Sequence, residues 1–131
     1  MAIVVAAVVA GATALAQQHR LHNQIMKDVG ATFPSLKKNL DANNAAAAAE
    51  DAAKLEGFFS EAEAFWTPLN TEDAVVFSKR ARAAATAIGN AAKANDMKAA
   101  QASYTVLQRA CGNCHSAHRE EMTGGSFNIK P

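Results

Sequence analysis

The residues best suited to chemistry lie near the end of the chain, at Cys111-Gly112-Asn113-Cys114-His115. Two thiols three residues apart on a helical turn face one side and can reach the two vinyl groups of a single porphyrin. The imidazole of the next residue is then held beneath the iron. The spacing therefore predicts covalent attachment of one haem c through Cys111 and Cys114, with His115 as the proximal iron ligand. The sequence has only two cysteines, so none remains for a disulfide. Two other uses of the pattern fit less well. A thioredoxin-like redox pair needs a βαβ setting, and the sequence has no strand pattern to provide one. A structural zinc site needs four ligands at closed spacing, and two cysteines do not supply them.

Four amphipathic stretches must position this motif. The first spans about residues 18–40, with His22, Met26, Val29, Phe33, Leu36 and Leu40 on one stripe and Leu21 and Ile25 beside it. Pro34 lies inside it and predicts a kink or break near Thr32–Phe33, because proline lacks a backbone donor and crowds the preceding turn. Asp41-Ala42-Asn43-Asn44 reads as a turn, with Asn43 or Asn44 as the next cap. The second helix, about 45–66, presents Ala52, Leu55, Phe59, Ala62 and Trp66. Asn70 or Thr71 starts the third, with Glu72 and Asp73 placed to meet the positive end of the helix dipole. That helix runs to about Lys93 and presents Val76, Arg80, Ala84, Ile88 and Ala91, with Phe77 alongside. Asn95-Asp96 caps the fourth, about 97–121, whose stripe includes Ala100, Tyr104, Leu107, Cys111, Cys114 and His118. Gly124-Gly125-Ser126 then opens a polar tail expected to fray. Long helices joined by short loops predict an all-α fold, an antiparallel up-down-up-down four-helix bundle with the haem motif at its C-terminal end.

Composition agrees. Of 131 residues, 50% are hydrophobic, 19% are charged and 6% are aromatic, and the abundance of alanine favours helix over strand. The formal net charge of +1 leaves no polybasic footprint for nucleic acid or an anionic membrane. Residues 1–16 read differently. An uncharged apolar run from Ile3 to Leu15 is short for a membrane span and ends in Ala14-Leu15-Ala16, a small-x-small pattern, before the polar Gln17-Gln18-His19-Arg20. This predicts a signal peptide cleaved after Ala16, a cytochrome domain over 17–131, periplasmic export and no stable membrane span after cleavage.

The motif's place on the last helix, with Arg119 four residues past His115, resembles cytochrome c′ and its six-coordinate low-spin relatives. The resemblance covers roughly residues 18–121. Its strongest pieces are Cys111-x-x-Cys114-His115-x-x-His118-Arg119 and Met26-Lys27-x-x-Gly30. It implies that the first helix crosses the haem face opposite His115, with Met26 at the distal position. High-spin members hold a bulky apolar residue there, whereas the low-spin relatives hold methionine. Met26 is thereby implied as the distal iron ligand, with Gly30 leaving room for the porphyrin edge. The alternative for Met26 is core packing, since methionine at helical spacing commonly fills cores. The family commonly has tyrosine where this chain has His118, and often arginine near the place of His22, with Arg20 close by here. Arg119 and His22 are the candidate propionate contacts, although a helix-end cation meeting the dipole also accounts for Arg119. His118 is expected to be solvated, and Trp66 and Tyr104 to lie in the core.

His/Met ligation raises the reduction potential and suits electron transfer. The expected function is therefore a non-enzymatic electron carrier that works with redox partner proteins. The alternative is a five-coordinate protein that binds nitric oxide or carbon monoxide. A peroxidase fits least, because only His22 with Arg20 could imitate its distal pair. The resemblance also implies a homodimer through the first two helices.

Overall fold

Each interhelical turn ends on an asparagine in the left-handed region: Asn43 (φ 53°), Asn70 (φ 54°) and Asn95 (φ 57°). Asparagine tolerates this conformation better than most residues. It stops one helix so that the next can start in a fixed direction. The computed structural model describes residues 5–125 and 127–130, with side chains from Leu21 onward except Ser126. The helices are α1 (Val5–Asp41), α2 (Ala45–Trp66), α3 (Glu72–Lys93) and α4 (Met97–His118), with a 3-10 turn over Thr67–Leu69. Asn44 caps α2 by accepting from the Ala47 amide at 3.4 Å, and Asp96 caps α4 by accepting from Ala99 at 3.0 Å. Thr71 holds the N-cap position of α3 without a side-chain cap bond. The expected leader over residues 1–16 has its first four residues and all its side chains outside the described set. Among the described residues no helix is long and apolar enough to cross a membrane.

The bundle packs in chain order. Helices α2 and α3, and α3 and α4, meet along most of their lengths. Helix α1 leans on α2, while α1 and α4 barely touch. Ala48, Ala52, Ala85, Gly89 and Ala92 are buried, and a Cβ built on Gly89 would lie 3.6 Å from that of Ala52. Small residues thus bring α2 and α3 close together. Leu36, Leu40, Leu55, Ile88 and Leu107 are fully buried in the main core. Asp51 on α2 is also buried, and its carboxylate accepts from Ser35 Oγ at 2.7 Å and Asn39 Nδ2 at 2.8 Å, tying α1 to α2. A second apolar cluster at the other end joins Phe65, Trp66 and Ala74, with Leu69, Val75 and Ile129 against it.

Four expectations are corrected. Helix α1 continues through Pro34 without the break that was one of the two expected outcomes. The carbonyl that loses its partner and meets the ring belongs to Gly30, four residues earlier, where the absence of a side chain gives the backbone room to adjust. The buried face of α3 is rotated from the stripe read in the sequence. Ala84 and Ile88 are buried as expected, but the inward face continues through Ala74, Ser78, Ala81, Ala85 and Ala92, while Val76 is 41% exposed and Arg80 is exposed. Alanine is too abundant here for periodicity alone to fix the phase. Helix α4 ends at His118, not at Glu121, because the next residues become β1 (Arg119–Glu121), paired antiparallel with β2 (Phe127–Ile129). The tail therefore folds back where fraying was expected. The Gly125 amide bonds the Met122 carbonyl at 3.2 Å, and Gly124 (φ 95°) supplies the positive φ that such a turn needs.

Candidate haem site

The gap between α1 and α4 is an apolar cleft of about 660 Å³, well within the size of small-molecule sites. His22, Met26, Val29, Gly30 and Phe33 line it from α1, at the spacing of one helix face. Phe59, Ala62 and Trp66 line it from α2, and Phe77, Ser78 and Ala81 from α3. Helix α4 contributes Cys111, Cys114, His115 and His118. The residues that sequence motif and resemblance single out thus meet in one cavity, with Met26 and the Cys-x-x-Cys-His segment on different walls.

The donor set fits a covalently held haem. Both cysteines are free and partly buried. Burial, and next the proximity of Cys114, pushes the Cys111 thiol up to about 11. Burial, and next the charge of Asp73, does the same to Cys114, again to about 11. Such thiols stay protonated at neutral pH, unlike the low-pKa thiolates of reactive redox pairs. For His115, burial and then the Arg119 charge hold the imidazole below its usual value. The neutral ring is the form with a lone pair for iron. A Cβ on Gly30 would meet nothing within 4 Å, so the wall beside Met26 is open. Among the described residues no group of three or more His, Cys, Asp or Glu could hold a bare metal ion.

The remaining candidates sit as follows. His22 is buried, its ring 4.8 Å from that of Phe65 and 5.2 Å from that of Trp66. The guanidinium of Arg119 lies 4.1 Å over the Phe127 ring and also borders the cleft. His118, expected in solvent, is 7% exposed, because the returning hairpin covers it. Trp66 and Tyr104 are buried as expected, and Tyr104 stacks on Phe33 at 4.9 Å. The sequence reading missed Phe127, Asn128 and Ile129, which form part of the cavity wall. The Gly124-Gly125 pair, followed by Phe127 and Ile129, was the available signal for a hairpin.

No protein-family model matches the chain, and no curated protein matches it by sequence. Among solved structures it is similar to a cytochrome c′ described for an unusual ligand-controlled dimer dissociation. The TM-score is 0.67 at 17% identity, over 87% of this chain and 95% of that one. The likeness is one of fold, and the fold is the four-helix bundle of a cytochrome c′.

Proposed function

We propose that this chain is an exported monohaem c-type cytochrome that carries electrons between redox partner proteins and catalyses no reaction of its own. The observation that carries the reading is the opening of Cys111, Cys114 and His115 into an apolar cleft that Met26 lines from another helix. Bound haem supplies a one-electron iron couple. The chain does the rest. Cys111 and Cys114 anchor the group, His115 ligates iron from α4, and Met26 offers its thioether from α1. Phe33, Phe59 and Phe77 keep water away. His22 is packed by Phe65 and Trp66, which supports a wall residue over a peroxidase-type base. A shallow groove between α1 and α2, lined by Leu21, Ile25, Ala64 and Phe65, supports these helices as a homodimer face.

The test is the optical spectrum of the purified holoprotein, ferric and ferrous, with and without nitric oxide. The expected result is a low-spin spectrum with the weak long-wavelength iron–sulfur band, unmoved by the gas. A high-spin spectrum that shifts on adding nitric oxide would replace the carrier by a gas-binding protein.

A further inference from the structure

His118 joins the ends of four elements. It sits on the last turn of α4, three residues past His115. Its Nδ1 is 2.8 Å from the carbonyl oxygen of Lys130, and its Nε2 is 3.0 Å from Oδ2 of Asp73 in the first turn of α3. Its ring centroid is 5.2 Å from that of Trp66, at the end of α2. The Lys130 amide returns a bond to the His118 carbonyl at 2.9 Å. A carbonyl only accepts, so Nδ1 carries the hydrogen of the first contact. The second places the other ring nitrogen against a carboxylate.

These ties hold a segment that cannot hold itself. A two-stranded hairpin is marginal in water even when long, and β1 and β2 have three residues each. Beyond His118, the hairpin is anchored to the bundle by Ile129 against the Phe65–Trp66–Ala74 cluster, while Arg119 over Phe127 ties its two strands to each other. In this position Phe127, Asn128 and Ile129 wall the cavity that His115 also lines.

We propose that His118 is a positioning residue that latches the C-terminal hairpin across the His115 end of the cavity, excludes water there and so holds the reduction potential up. The part concerning potential rests on the haem reading above. Exclusion of water disfavours the more highly charged oxidised iron and is one of the means by which a protein sets a haem potential.

The test uses the holoprotein with His118→Phe, which keeps a ring against Trp66 and removes both polar ties. It also uses His118→Gln, which keeps one donor for the Lys130 carbonyl. Amide hydrogen exchange over residues 119–130, the midpoint potential and the ferric spectrum are read on each. The expected result for His118→Phe is hairpin exchange several-fold faster, the scale of losing the single hydrogen bond to the Lys130 carbonyl, and a lower potential. His118→Gln restores part of both, and the iron–sulfur band is kept throughout. Should His118→Phe fail to fold, a chain ending at Glu121 is expected to show the same fall in potential. Wild-type exchange in His118→Phe, or an opened hairpin with an unchanged potential, overturns the proposal. A purified protein without haem refutes the haem reading, and the exchange comparison then still decides whether His118 is a latch.

Discussion

Replacing Met26 by leucine and by alanine separates a ligand from a packing residue. Met26 is partly buried on the cavity wall and packs against the main core. Full burial of such a side chain stabilises by about 1.5–3 kcal/mol, so partial burial is worth about 1 kcal/mol. Met26→Ala is expected to cost that much through lost packing. Met26→Leu conserves volume and is expected to cost little of it. Neither replacement has a sulfur. Both variants are therefore expected to lose the long-wavelength band, turn high-spin when ferric, bind nitric oxide and show a lower midpoint potential. The pattern is two spectra that agree and two stabilities that differ by about 1 kcal/mol. Optical titration with gas reads the first, and denaturant unfolding of the holoprotein reads the second. A leucine variant that keeps the wild-type spectrum would refute Met26 as ligand and leave it as core.

Cys111→Ser or Cys114→Ser is expected to leave one thioether, and the double variant none. Denaturing organic extraction of the double variant should then release all haem from the chain. Asp73 is held below its usual carboxylate value chiefly by its hydrogen bond with His118. A depressed folded value means that its contribution to stability is complete above the unfolded value and fades as pH falls through the folded one. Thermal melts of wild type and Asp73→Asn should therefore differ above pH ~4 and converge in stronger acid. Asp51→Ala removes the shared acceptor of Ser35 and Asn39, both part-buried, and should cost about 1–2 kcal/mol in denaturant unfolding.

The bundle was legible because its signals are local. The bounds of α2 followed from Asn44 and Thr67-Pro68, and the stripes through Leu36, Leu55 and Leu107 were long enough to set their phase. The Cys-x-x-Cys-His segment was legible because three chemistry-bearing residues lie within five positions of the chain. Placing Met26 required knowing which helix faces α4, and that came from the resemblance, not from spacing. What escaped was non-local. The N-terminal half of the α3 face, where Val76 and Arg80 were expected inward, could not be phased among its alanines, although Ala84 and Ile88 were placed correctly. His118 looked exposed because nothing near it in sequence announces that Lys130 and Asp73 close over it. Three-residue strands carry too short an alternation to stand out from a polar tail.

The near-absence of contact between α1 and α4 has a consequence for how the chain is made. A bundle usually closes on its own side chains, whereas here the first and last helices face each other across a hollow. On the haem reading proposed above, the cofactor would be the missing piece of the interior, and its attachment would be the final step of folding. Before it, α1 would be held chiefly along α2, with only sparse contact to α4 such as Phe33 on Tyr104, and is expected to be the first helix to detach. After it, two thioether bonds would keep the closing piece from leaving by simple dissociation, so the finished molecule would return to its hollow precursor only if those bonds were cleaved.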